Sequence, residues 1–383
     1  MADDSMTLTR LDPRTLLCVA ATLASSSLLG CTGLIEGRRE SMDAARDAVA
    51  LDTHRESDAA DAGPSLDASD DRAAPDDAPS TRDVAPPRER ICEAWGAPTD
   101  MFDQSVVPIE VEPASASATK IVLVAGAASA SHPRGAHQFF AVVAVLAKLL
   151  CRVSNVVPVV VRDGWPTDPR VFDGAASIVF YADGAASHPL DAASRRAALA
   201  PHIARGAGFV NLHYAVEYTA QSAPTARDWL GATYEPGFSV NPLWRAGYSS
   251  FPTHPIVNGV AAFEIEDEWY YNVRWRDDRS SVVELLRATP PDSTRTTPDT
   301  AANPGRAEVT AWAFVRPDGG RSFGFTGGHW FANWLDSADA PHASMQRRLV
   351  AQGILWSAGV AVPSAGVDVT YTPTDVERYL DRR

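Results

Sequence analysis

Four short runs of strand-forming residues, separated by helical stretches, constrain this chain more than any other feature. Lys120-Ile-Val-Leu-Val-Ala125 is apolar almost throughout, the pattern of a parallel strand covered on both faces rather than of a half-exposed antiparallel one. A nearly all-apolar helical segment follows over 137–150, then strand Val156–Val161, strand Ser177–Tyr181, a helix over 191–205 with Asp191 near its start, and strand Gly208–Leu212. Strands alternating with helices at this spacing predict an α/β domain built on a doubly wound parallel sheet.

After Tyr214 the pattern loosens into a long insertion rich in Trp, Tyr and Pro. Val282–Ala288 and Glu308–Val315 read as later strands, and the second turns through Pro317-Asp-Gly-Gly320 into a strand over 321–326. Asp-Gly-Gly between two such runs is a hairpin signature. A last helix over 343–358 is expected to turn Met345, Leu349, Ile354 and Leu355 toward the sheet and Arg347 and Arg348 to solvent. The domain is thus expected over 91–362, and 363–383 as a surface tail.

The start of the chain carries a different message. Arg10 and Arg14 precede an apolar run that ends in Leu28-Leu-Gly-Cys31, the form of a bacterial lipobox. The run is too short and too rich in Ser and Thr for a membrane span, so 1–30 is expected to be a lipoprotein signal peptide and Cys31 the lipidated first residue. Asp3 and Asp4 are unusual in a signal, and a start at Met6 would give it a cleaner basic end. Thr32, in place of an aspartate, points to the outer membrane in a cell that has one.

Residues 31–90 are expected to be a disordered tether. From 41 to 90 Asp, Ala, Pro, Ser and Arg dominate, and too little apolar surface is available to offset the entropy of ordering. That stretch holds 13 acidic and 6 basic residues, a net −7, half of the −14 of the whole chain. The folded part is therefore only mildly acidic, which argues against nucleic acid as a partner. Neither a Walker loop nor a Gly-x-Gly-x-x-Gly fingerprint is present. Of the four cysteines, Cys18 leaves with the signal and Cys31 takes the lipid. Cys92 and Cys151 remain, an even pair that in an exported protein suggests a disulfide. Two buried free thiols are the alternative.

Histidine dominates the candidate chemistry. His132, His137, His188, His213, His254 and His329 all fall in loops that a parallel sheet could gather, and imidazole either transfers protons near neutral pH or ligates a metal. No Gly-x-Ser-x-Gly elbow exists, and the nucleophile's position after the fourth strand holds His213, which disfavours covalent acyl chemistry. The segment Glu264-Ile-Glu-Asp267-Glu268-Trp269-Tyr270-Tyr271 mixes carboxylates with aromatics, as a sugar pocket would. Alternation points Asp267 and Trp269 one way, Glu268 and Tyr270 the other. Trp330, Phe331 and Trp334 beside His329 add rings suited to a pyranose face. No His-Glu-x-x-His or paired-Cys motif marks a metal site.

Taken together, Ser131-His-Pro-Arg-Gly-Ala-His137, Gly208-Phe-Val-Asn-Leu-His-Tyr-Ala215, His254-Pro-Ile-Val-Asn-Gly259, Asp267-Glu-Trp-Tyr270 and Gly327-Gly-His-Trp330 resemble the ThuA-like, trehalose-utilisation family over about 119–360. The resemblance implies a flavodoxin-like sheet similar to that of class I glutamine amidotransferases, with the aromatic-rich segment inserted. It places His213 at the lost cysteine elbow and His329 near the former triad histidine. It also implies a glycoside or 3-keto-glycoside as substrate. Gln138, where the family commonly has an acidic residue, and the Ala127-Ala-Ser-Ala130 stretch weaken the case for a base or metal in the first loop.

These observations carry three expectations. The first is proton abstraction from a 3-keto-glycoside, as a lyase, hydrolase or isomerase, by His213, His329 and Glu268. His329 acts as base, His213 as acid or carbonyl polariser, or the reverse, while His132, His137, Tyr214, Asp267, Trp269, Tyr270 and Trp330 bind the sugar. The second is a carbohydrate-binding lipoprotein without turnover. The third is a hydrolase using a divalent metal on His132, His137, His213 and Glu268.

Overall fold

The computed structural model describes Cys92 and residues 104–128, 137–328 and 340–370. The expected signal and tether lie outside the described residues. Eleven strands are present among these residues: β1 (Thr119–Ala125), β2 (Val156–Val161), β3 (Ser177–Tyr181), β4 (Gly208–Leu212), β5 (Ala232–Thr233), β6 (Leu243–Tyr248), β7 (Phe263–Glu268), β8 (Arg274–Trp275), β9 (Val282–Ala288), β10 (Glu308–Val315) and β11 (Arg321–Phe325). The helices are α1 (Phe139–Leu150), α2 (Ala193–Ala204), α3 (Ala223–Leu230), the single turn α4 (Pro298–Ala301) and α5 (Ala340–Ser357).

Seven strands make one sheet in the order β2-β1-β3-β4-β11-β10-β9. Its first five members run parallel, while β10 and then β9 join antiparallel. The parallel part has the flavodoxin-like order, with β11 as fifth strand. Alternate residues of each parallel strand enter two separate cores. Ile121, Leu123 and Ala125 face α1 and α5, whereas Val122 and Val124 face α2 and α3. Double coverage explains the uninterrupted apolar runs. It also explains α1, in which every residue but Lys148 is buried.

Two local expectations are corrected. The helix expected over 191–205 starts two residues later, behind Ala192, and the Asp191 carboxylate accepts from the hydroxyls of Thr219 and Ser222. Arg347 does not face solvent but is buried. Elsewhere on α5, Gln352 donates to the carbonyls of Ile256 and Asn258 and accepts from the Val367 amide. Arg348 donates to the carbonyls of Gly259 and Val367. Within the expected surface tail, 363–370 runs along α5 and buries Val369.

Two further features set up the site. The insertion forms an antiparallel hairpin, β6 with β7, whose Trp244, Ala246 and Tyr248 face the same core as α1 and α5; the Trp244 indole donates to the Trp269 carbonyl. At the opposite end of the sheet, Arg316 at the β10–β11 turn donates to the carbonyls of Ile203 and Ala207 and to the Ser322 hydroxyl. A disulfide joins Cys92 to Cys151 directly after α1, with Cα atoms 5.5 Å apart.

Candidate functional site

β4 ends at Leu212, and the chain turns sharply through a 3-10 segment, His213–Val216. His213 takes φ 54°, a left-handed conformation uncommon for any residue with a β-carbon. A strained turn at the carboxyl end of a parallel strand presents one side chain at the crevice where such sheets bind ligands. Here the side chain is an imidazole that is completely buried.

The hydrogen bonds of that ring fix its tautomer. Nδ1 lies 2.9 Å from the Thr326 carbonyl oxygen, which can only accept, so Nδ1 carries the hydrogen and a neutral ring turns its lone pair out at Nε2. Nε2 faces His137 Nε2 at 3.1 Å and Glu268 Oε2 at 3.4 Å. The ligating atoms of the three buried side chains all lie within 4.8 Å of one another. A lone pair, a carboxylate oxygen and a second imidazole nitrogen converge only if a proton or a cation lies among them. Two histidines and a glutamate suit zinc and similar divalent ions. A ring N–H donated to a backbone carbonyl is the usual outer support of a ligating histidine. Ligands of a tetrahedral zinc at 2.0–2.1 Å stand roughly 3.3 Å apart, a value that the 3.1 and 3.4 Å separations bracket.

The surroundings hold this trio in place. Asn241 donates to the other Glu268 oxygen at 3.2 Å. The Tyr270 ring lies 4.8 Å from the His213 ring, and Tyr214 and Tyr234 lie 6.5 and 5.4 Å from Tyr270. Gly328 lies against the imidazole so closely that an added β-carbon would sit 2.5 Å from His213 Cε1. Gly328 is fixed in turn by Asp267, whose Oδ2 accepts from the Gly328 amide at 3.1 Å and from Gln346 at 3.2 Å while Oδ1 accepts from the Glu268 amide. Tyr181 donates to the Gly328 carbonyl. Burial, and then the charges of Asp267, Asp183 and Glu268, hold the Tyr181 phenol well above its usual range, so it stays a donor.

The structure brings together His137, His213, Glu268, Tyr214 and Tyr270. His137 takes its place despite the unusual Gln138, which is buried at the start of α1 without capping it. Asp267 and Trp269 occupy the other face of the segment: the first supports Gly328, and the second is buried against Tyr248 and Phe325. His188 and His254 lie apart from the trio. His188 caps a 3-10 turn and bonds the Ala215 carbonyl; burial lowers it to about 3. His254 caps another turn and packs on Trp356. His132, His329 and Trp330 lie outside the described residues.

Sequence reasoning missed Asn241, Thr326, Gln346 and Glu217. Only Glu217 left a signal, four residues after His213. Burial and the Glu268 charge raise its carboxyl to about 7.

The model of a family described as trehalose utilisation, ThuA, matches residues 125–357. Among solved structures, a ThuA-like protein from Bacteroides uniformis is similar at 16% identity, covering 63% of this chain and 93% of that one, with a TM-score of 0.44. No curated protein matches.

Proposed function

Since the chain belongs to the ThuA, trehalose-utilisation family, we propose that its α/β domain acts on a glycoside or 3-keto-glycoside at a divalent-cation site held by His137, His213 and Glu268. The observation that carries this reading is the convergence of His137 Nε2, His213 Nε2 and Glu268 Oε2 around a tautomer fixed by the Thr326 carbonyl. A divalent ion bound there would polarise a sugar carbonyl or a water oxygen. The remaining work falls to the chain. Thr326 keeps the His213 lone pair directed into the cluster, Asn241 orients Glu268, and the half-buried Tyr214 offers a ring face to a pyranose.

One rival has an observation in its favour. With no cation, His213 Nε2 takes the C2 proton beside a C3 carbonyl, and Glu268 at 3.4 Å stabilises the imidazolium. Elemental analysis and zinc titration of the purified chain, wild type and His213→Ala, separate the two. One metal per chain, lost in the variant, supports the cation site. Absence of metal together with deuterium entering 3-keto-trehalose at C2 in heavy water favours the rival. Absence of both, with the sugar still bound, leaves a binding protein. Export and anchoring through a lipidated Cys31 belong to the same proposal. Labelled palmitate entering the wild type but not Cys31→Ala would support them, and recovery of both chains unlabelled from the cytoplasm would remove them.

A further inference from the structure

The strand Gly208-Phe-Val-Asn-Leu212 is apolar except at Asn211, and that side chain is completely buried. A buried amide is costly unless its hydrogen bonds are made. Asn211 Nδ2 donates at 2.6 Å to the carbonyl of Ala215, four residues on, so the side chain closes a loop with His213 at its centre. The same carbonyl meets His188 Nε2 at 3.1 Å. A carbonyl only accepts, so Nε2 carries the hydrogen, and His188 Nδ1 is left to accept from the Leu190 amide at 2.9 Å. Both lone pairs of the Ala215 oxygen are thus occupied, one from β4 and one from the turn after β3. The Tyr218 hydroxyl meets the Asn211 amide nitrogen, and the Tyr218 ring lies 4.2 Å from that of His188, which ties the two donors together.

Turning the Asn211 amide over would offer Oδ1 to the Tyr218 hydroxyl but would set two oxygens against each other at Ala215. The orientation present serves the turn, although it leaves Oδ1 buried with no hydrogen-bond partner among the described residues. His213 needs such a hold. Its φ of 54° is disfavoured by its own β-carbon and persists only where neighbours over-determine it. We propose that Asn211, together with His188, is the positioning residue that keeps His213 in this conformation and so holds its Nε2 toward His137 and Glu268. The two donors act through the Ala215 carbonyl and set the backbone of the turn, whereas the Thr326 carbonyl acts on the ring itself and sets its tautomer. The effect on zinc rests on the reading of the cluster as a cation site; the hold on His213 does not.

The test reads the full chain in two ways: zinc titration calorimetry, and NMR of isotope-labelled histidine. The buried Nδ1–H of His213, donated to Thr326, is expected as a slowly exchanging imidazole proton, identified by its loss in His213→Ala. In Asn211→Ala that proton should exchange rapidly with water, and zinc affinity should fall roughly 10–100-fold, as loss of outer support does elsewhere. Phe209→Leu opens a void in the same buried strand without touching the turn. It should lower the melting temperature and leave both readings at the wild-type level. An unchanged imidazole proton in Asn211→Ala overturns the proposal, as does unchanged zinc affinity where the wild type binds zinc. Equal loss of both readings in Phe209→Leu overturns it too, by reducing the role of Asn211 to ordinary stability. If Asn211→Ala does not fold, His188→Asn decides by the same readings, since asparagine still caps the turn but is too short to reach Ala215. A wild type that takes up no zinc removes the cation reading, and the imidazole proton alone then judges the hold on His213.

Discussion

Replacing Asp267 by asparagine tests how the site is held without touching the cluster itself. Among the described residues the buried carboxylate accepts from the Glu268 amide at Oδ1, and from the Gly328 amide and Gln346 Nε2 at Oδ2. Asparagine keeps its oxygen for Glu268 and turns an NH2 toward the other two. Gln346 can answer by rotating its amide, because Gln346 Oε1 is buried with no hydrogen-bond partner among the described residues. The Gly328 amide cannot turn, and it loses its acceptor inside the protein. Hydrogen bonds to charged groups contribute about 1.5–3 kcal/mol each, and a stranded buried donor costs about 1–3 kcal/mol. One exchange of this kind, partly offset at Gln346, destabilises by about 2–4 kcal/mol. For a domain of this size that lowers the melting temperature by roughly 4–16 °C. Thermal unfolding followed by circular dichroism reads it, with Gln346→Leu alongside to show how much that amide contributes alone. A melting temperature within about 1 °C of wild type would refute the idea that Asp267 anchors Gly328 beneath His213.

Gly328→Ala should displace the His213 ring and weaken zinc binding by roughly 10–100-fold, as loss of outer support does elsewhere; titration calorimetry with unchanged affinity would count against the packing argument. Reducing the Cys92–Cys151 bridge, whose ends are 59 residues apart, should lower unfolding free energy by up to about 4 kcal/mol in urea, and a shift near zero would show that the reduced chain keeps those ends together. Stability should also depend on acid through groups of opposite sign. His188 titrates at about 3 folded against 6.5 unfolded, so the unfolded chain binds the proton first and stability is lost as pH falls below 6.5. Glu217 titrates at about 7 folded against 4.5 unfolded, so its contribution grows as pH falls from 7 to 4.5. Glu217→Gln should therefore steepen acid destabilisation in that window by up to about 1.4 kcal/mol per pH unit, and an unchanged slope in urea titrations would refute the raised carboxyl.

The parallel sheet was legible because double coverage writes itself into sequence. Val156–Val161 can be apolar at every position only if both faces are buried, and the Asp-Gly-Gly turn marks the β10–β11 hairpin directly. Period-two alternation also separated Glu268 and Tyr270 from Asp267 and Trp269, and the structure puts the first pair on the His213 side. The supporting contacts were not legible. Asn241, Thr326 and Gln346 act through neighbours 27, 113 and 79 residues away, and no local pattern encodes such meetings. Arg347 misled because a helix face is polar or apolar in sequence without regard to what later covers it, and here the residue is buried. His254 and His188 resembled site residues because a capping histidine and a ligating one both sit at the start of a turn.

The clamp at Arg316 gives the site a mechanical frame. β4 and β11 lie side by side from Phe209 and Ser322 to Leu212 and Phe325. At their lower ends one guanidinium ties the Ser322 hydroxyl to the carbonyl just before β4. At their upper ends the same two strands deliver His213 and the Thr326–Gly328 segment that orients it. The pair therefore works as a ruler roughly 15 Å long, pinned at one end and read at the other. Sliding of either strand past its neighbour would shift the imidazole against its carbonyl, so the alignment of the cluster is guarded from the far side of the sheet.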